Sequence, residues 1–283
     1  MSLYRNAGLA VTFSPRLDAL LAEAAHREAF LFSTLSLIHA GPATSKSEDG
    51  FRKALKRAGL PEDTPIYFEE GQPDEAILRA VRRLDIDFLI AGAIERERAY
   101  RYYMGSVAHN LVRQSPCSLL LFTEPSVEPQ PFRNVCLVTD YSEGSLIALV
   151  KTLRYAEREG AERVFVLRAL SQYGEALVLS EGLRREQATE YQKSNLQEEM
   201  ALLQDFVDAA GHTEVPVEPY CIPGHPGTVI ARFVPDHSVD LLVMSSSAGF
   251  GHFFERLFPS DMEWLLREIP CNMWVVREAS PVL

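Results

Sequence analysis

Three kinds of residue in this chain are placed to hold an anion: glycines at predicted strand ends, serines at predicted helix starts, and arginines between them. The clearest set reads Gly92-Ala-Ile-Glu95, then a nine-residue spacer, then Gly105-Ser106. A glycine leaving a strand lets backbone come close to a ligand, and a Gly-Ser helix start offers unpaired N–H groups and a hydroxyl to a phosphate. Glu95 opposes that use, because a carboxylate repels phosphate and its Cβ restricts the backbone. Arg96, Arg98 and Arg101 in the spacer could pair with Glu95 or with a phosphate. A second set lies later in the chain. "VTDYS" ends an apolar run with Asp140 and leads to Ser142, and "SSSAGFGHFFERLFPS" runs to Ser260. There Ser245 or Ser246 stands at the first glycine position and Ala248 or Gly249 at the second, while Pro259 removes an N–H donor ahead of Ser260. Ser260 and Glu263 form a capping box with Asp261 beside it, so this helix start is satisfied by its own side chains. Each residue also has a plainer reading. Ser106 is then a helix cap, Asp140 a turn or capping carboxylate, and Gly92 and Gly105 are turn glycines.

The elements that must position these residues occur twice. "GQPDEAILRAVRRLDIDFLIAGA" (71–93) aligns without a gap on "GHPGTVIARFVPDHSVDLLVMSS" (224–246), matching Gly71 with Gly224, Pro73 with Pro226, Ile77 with Ile230 and Asp87 with Asp240. After one extra residue in the second copy, "SPC" at 115–117 finds its echo in "IPC" at 269–271. Each copy alternates apolar strand segments with amphipathic helices, which predicts a parallel sheet covered on both faces. The first reads as strands at "GLAVTF", "FLFSTLSLIH", "PIYFEEG", "DFLIAG" and "CSLLLF", with a first helix opened by Ser14 and Pro15. The second reads as strands at "NVCLVTD", "RVFVLRAL", "VPVEPYC", "DLLVMSS" and "NMWVV", with a long polar helix near 183–210. The Pro-rich "TEPSVEPQPF" between them predicts a first unit at 1–123, a linker at 124–132 and a second unit at 133–283.

Bulk properties remove several function classes. The net charge is −11 and the sequence pI about 5.2, against the positive footprint that nucleic acids and anionic membranes require. No apolar run reaches a membrane span and no leader pattern opens the chain, so a cytoplasmic protein is expected. Cys117, Cys136, Cys221 and Cys271 show no C-x-x-C spacing and read as buried thiols of a reducing compartment. Cys221 and His225 lack a second pair for a metal site. Ser245 to Ser247 lack the G-x-S-x-G context of a nucleophile. With no positioned base or metal-binding carboxylate cluster, the chain does not read as an enzyme.

On its strand order, on the "DFLI" and "DLLV" strands ahead of each loop, and on Gly-Ser-x8-Ser-Pro-Cys in the first copy, the chain resembles a tandem universal stress protein over essentially its whole length. The resemblance implies an α/β fold of two repeated five-stranded parallel-sheet domains, Rossmann-like and akin to adenine nucleotide alpha hydrolases. It also implies a pseudo-dimer in which the final strands satisfy each other, with a homodimer of chains as a further expectation. The units are expected as two like sheets side by side; one continuous sheet would overturn that picture. ATP-binding members carry G-x-x-G, nine residues and G-[ST], with an Asp at the end of the first strand near the adenosine. That pattern implies Thr12 at the acidic position of copy one, with Gly92, Gly105, Ser106, Arg98 and Arg101 toward phosphate. In copy two it implies Asp140 and Ser142 toward the nucleoside and Gly249 and Ser260 toward phosphate. ATP or AMP is the expected ligand, with magnesium only as the nucleotide's companion. The alternative is a scaffold that binds proteins and no nucleotide.

Overall fold

Apolar strands and amphipathic helices alternate through both halves of the chain. The computed structural model describes residues 2–98, 101–104, 106–170, 185–246 and 271–277, with the backbone alone at 94–98, 101–104 and 185–195. The first half contains β1 (Tyr4–Val11), α1 (Leu17–Leu31), β2 (Phe32–Ala40), α2 (Ser45–Ala58), β3 (Ile66–Glu69), α3 (Pro73–Arg83) and β4 (Phe88–Gly92). A hairpin of β5 (Ile94–Arg98) and β6 (Arg101–Met104) follows, then α4 (Ser106–Gln114) and β7 (Ser118–Phe122). The second half contains β8 (Asn134–Val138), α5 (Glu143–Glu159), β9 (Arg163–Leu170), α6 (Arg185–Ala209), β10 (Val217–Pro223), α7 (Pro226–Asp236), β11 (Leu241–Ser246) and β12 (Asn272–Arg277). The helix expected from Ser260 lies outside the described residues.

Ten strands form one sheet in the order β10-β9-β8-β11-β12-β7-β4-β1-β2-β3. Each half therefore reads third, second, first, fourth, fifth, with parallel neighbours throughout. The last strands meet antiparallel, Met273 opposite Leu121, Trp274 opposite Leu120 and Val275 opposite Leu119. This corrects the expectation of two separate sheets. The duplication itself stands, since both halves share one topology, and the continuous sheet follows from the pairing of the final strands. Helices α1, α2, α5 and α6 cover one face and α3, α4 and α7 the other, because strand side chains alternate between two apolar cores that both span the halves.

The residues matched between the copies do the same work twice. Gly71 and Gly224 hold φ of 121° and 143°, a region open mainly to glycine, and Pro73 and Pro226 each begin a helix where a missing N–H costs nothing. The Asp87 carboxylate accepts the Arg5 and Asn6 backbone N–H groups at 2.8 and 2.9 Å. Asp240 accepts those of Arg133 and Asn134 at the same distances, 2.8 and 2.9 Å. The first strand of each half is thereby tied to the start of the fourth. One local expectation shifts: α1 starts at Leu17 rather than at Ser14 and Pro15, and Ser14 closes a turn instead, its carbonyl accepting from Leu17 N at 3.1 Å.

A buried ionic seam joins the halves under the linker. Arg27 of α1 is 1% exposed and donates to Tyr155 Oη on α5 at 3.0 Å. It pairs with Glu23 and, at 2.9 Å, with Glu159 of α5, and it lies 4.2 Å from the Phe132 ring centroid. The linker is pinned to the same cluster: Ser126 N donates to Glu23 at 2.9 Å, Phe132 N to Glu159 at 3.3 Å, and Gln130 O accepts from Arg27 at 3.2 Å. Burying three charges is tolerable here because each carboxylate has both the guanidinium and a backbone donor.

Candidate functional site

In a sheet with this strand order the crevice for a ligand opens beyond the carboxyl ends of the first and fourth strands, where the crossover direction reverses. Register makes the two crevices comparable residue by residue. Ala7 lies opposite Phe88 and Leu9 opposite Ile90 in the first half; Val135 lies opposite Leu241 and Leu137 opposite Val243 in the second. Continuing these ladders puts Thr12 at the place of Asp140, Phe13 at that of Tyr141, and Gly92 at that of Ser245. The second strands extend the match: His39 lies opposite Val11, and Leu167, the residue before Arg168, lies opposite Val138.

In the first crevice Thr12 and Gly92 are exposed at adjoining strand ends, and Ser106 is exposed at the first position of α4. In the segment expected to carry the phosphate loop, residues 94–98 and 101–104 pair as the β5–β6 hairpin, Ile94 opposite Met104, Glu97 opposite Tyr102 and Arg98 opposite Arg101, with an irregularity between Ile94 and Glu97. The physical reason is in the segment itself: Glu95 replaces the glycine that would turn the chain, and Tyr102 and Tyr103 favour strand. Arg98 and Arg101 thus sit at the hairpin tip as cross-strand partners. Gly105 lies outside the described residues. Beside Thr12, Phe13 is 52% exposed and stacks on Phe51 at 4.3 Å between centroids. The His39 ring meets Phe13 edge-on at 5.8 Å and donates from Nδ1 to Val11 O at 2.9 Å.

The second crevice is built from charged and hydroxyl groups. Asp140 Oδ1 accepts from Ser142 N at 3.0 Å and Ser142 Oγ at 2.6 Å, while Ser142 Oγ caps α5 by accepting from Ser145 N at 3.2 Å. The carboxylate is therefore engaged with Ser142 in the turn that starts the helix. Tyr141 sits at φ 65°, fixed by a bond from its N to Thr139 Oγ1 at 3.0 Å. Its hydroxyl donates to Glu199 of α6 at 3.1 Å, and Arg168 lies 4.8 Å over its ring. Arg168 also donates to Thr139 O at 3.3 Å. Burial, then the neighbouring Cys221 and Glu199, push the Tyr141 phenol above its usual range. At the end of β11, Ser245 and Ser246 are each 2% exposed, and their hydroxyls have no hydrogen-bond partner among the described residues. Gly249 and Ser260 lie outside the described residues. Among the described residues no group of three His, Cys, Asp or Glu is arranged for a metal ion, and no helix is long and apolar enough to cross a membrane.

Sequence reasoning missed Phe13, His39, Tyr141, Arg168 and Glu199. The first and third follow the predicted contact residues directly, so that adjacency was the available signal. Arg168 inside an apolar strand was another.

The profile of the Universal stress protein family matches residues 9–123 and 131–277. No curated protein matches the chain. Among solved structures, a universal stress protein from Archaeoglobus fulgidus DSM 4304 superposes with a TM-score of 0.67 at 16% identity, covering 96% of this chain and 98% of that one. A functionally unknown protein from Pseudomonas aeruginosa PAO1 superposes with a TM-score of 0.60 at 12% identity, covering 97% of this chain and 92% of that one. At such identities the likeness is one of fold.

Proposed function

The chain belongs to the universal stress protein family, and on that premise we propose that it binds an adenine nucleotide, ATP or AMP, and acts as a regulatory stress-response factor rather than an enzyme. The first unit, 1–123 ahead of the linker 124–132, is the one assigned the phosphate, with Thr12, Gly92 and Ser106 at the crevice; Gly105, Arg98 and Arg101 are assigned to the same phosphate on the sequence pattern alone. The observation that carries this reading is Gly92. It is exposed, its φ lies outside the left-handed region, and a Cβ built on it would meet only Leu20, at an ordinary 3.4 Å. Neither backbone nor packing requires glycine there, whereas the close approach of a ligand does. The second crevice suits a nucleoside through Asp140 and Ser142, although Asp140 is already held by its own turn. A magnesium ion would arrive with the nucleotide.

Thermal melting with and without millimolar ATP or AMP tests the proposal. Ligand at about a hundred times its Kd stabilises by ~2.7 kcal/mol, which raises the Tm by several degrees in a chain of this size. A second reading, a protein-binding scaffold without a nucleotide, is favoured by one finding, the hairpin that stands where a phosphate loop would run. An unchanged Tm with both nucleotides would select it.

A further inference from the structure

The first crevice holds an aromatic ring that the protein's own packing leaves half finished. Phe13 follows Thr12 at the carboxyl end of β1. One face of its ring lies on Phe51, nearly parallel at 19°, and its edge is met by His39 at 67°. Phe51 is itself fully buried, so the platform beneath Phe13 is rigid. Gly50 completes the seat: a Cβ there would stand 2.8 Å from the Phe13 ring, so only glycine lets the ring lie in this position. With Phe51 stacked on one face and His39 beside the stack, the 52% exposure of Phe13 leaves ring surface open next to Thr12. The matching ring of the second half is treated differently. Tyr141 has Arg168 over its face, Phe206 edge-on at 5.6 Å and its hydroxyl tied to Glu199.

We propose that Phe13 is the platform on which a nucleobase lies flat in the first crevice, and that this half accepts purines without reading their edges. The proposal rests on the nucleotide reading above and names what that site recognises. Stacking is indifferent to base identity because every base presents a π face. The carboxylate that could accept from a base edge in the second half, Asp140, is replaced at the matching position by Thr12 here. The ring is held in place before any ligand arrives, so little ordering entropy is lost on stacking.

Calorimetric titration of the full chain with ATP, adenosine, guanosine and ribose 5-phosphate tests it. Phe13→Ala should weaken ATP and adenosine about tenfold and leave ribose 5-phosphate unchanged. Phe13→Leu, which keeps the contact with Phe51, should show the same loss in a fold whose melting is near that of the wild type. Phe13→Trp should retain affinity and add an indole emission that adenosine quenches and ribose 5-phosphate does not. Adenosine and guanosine should bind within about threefold of each other. Wild-type affinity in Phe13→Ala with ATP still bound, or a tenfold preference between the purines, would overturn the platform while sparing the nucleotide reading. Failure of the wild type to bind any of the four would overturn both.

Discussion

The two crevices stand on one scaffold and are lined by opposite chemistry. At matched positions the first half carries Thr12, Phe13, His39 and Gly92, and the second Asp140, Tyr141, Arg168 and Ser245. The first set is aromatic, with open surface and no carboxylate; the second is charged and closed on itself through Ser142, Glu199 and Thr139. Scaffold residues changed far less. Asp87 and Asp240, Gly71 and Gly224, and Pro73 and Pro226 keep the same roles with nearly the same geometry. A fused pair that needs each half to fold, but does not need each half to bind the same ligand, diverges in this pattern.

The largest effect should come from the seam that makes the halves one body. Arg27 and Tyr155 occupy corresponding places on α1 and α5 and meet across the junction. Arg27→Leu leaves Glu23 and Glu159 buried without their cation, and a loss of about 3–5 kcal/mol is expected in urea unfolding. A loss under ~1 kcal/mol would mean that the carboxylates reach water and that the halves are held by the sheet alone.

Next comes a site where scaffold positions do differ. Gly8 and Cys136 correspond, opposite Leu89 and Leu242, and both lie in cores. A Cβ at Gly8 would stand 2.8 Å from Ile38 and 3.3 Å from Ile86. Gly8→Cys should therefore destabilise by about 1–3 kcal/mol through overpacking, although the second half accepts that same residue at 0% exposure. If chemical denaturation finds the change neutral, the two cores are more alike than their side chains suggest. A smaller and symmetric effect is expected at the carboxylate ties. Asp87→Ala and Asp240→Ala each release two backbone donors at partly exposed strand starts, for about 1–2 kcal/mol apiece. Costs differing by more than about twofold would break the equivalence of the halves at its best-matched point.

The scaffold was readable from the sequence for a reason these residues make plain. Gly71 and Pro73 act locally, through φ and a missing N–H, so their types at fixed spacing carry the information. Strand and helix positions followed from periodicity in the same way. The rest depended on contacts between distant segments. Glu23 and Arg27 sit four apart on a helix, and only α5 and the linker, more than a hundred residues away, reveal them as buried. The Phe13 platform needs Phe51 and His39 from two other elements. The hairpin of β5 and β6 was obscured by spacing that fits a phosphate loop, while Tyr102 and Tyr103 favour strand. The two crevices, although predictable in position, were therefore not predictable in character.

The smallest expected effect tests how the second ring came to be closed. Tyr141→Phe gives the second half the side chain that the first half has at Phe13, removing only the hydroxyl that donates to Glu199 at 3.1 Å. The carboxylate accepting that bond belongs to α6, whose 25 residues contrast with the 14 of α2 in the first half. The hydroxyl is raised in pKa by burial, so it remains a protonated donor across the physiological range and the bond is present throughout. Its loss should cost about 0.5–1.5 kcal/mol, since Glu199 can turn to water while Phe206 and Arg168 keep their contacts with the ring. Hydrogen exchange would show where the loss falls. Faster exchange confined to the turn of α6 around Glu199 means that the hydroxyl clips the long helix over the crevice. Unchanged exchange there, with the same loss of stability, would shift the closing of the second ring from α6 to Arg168.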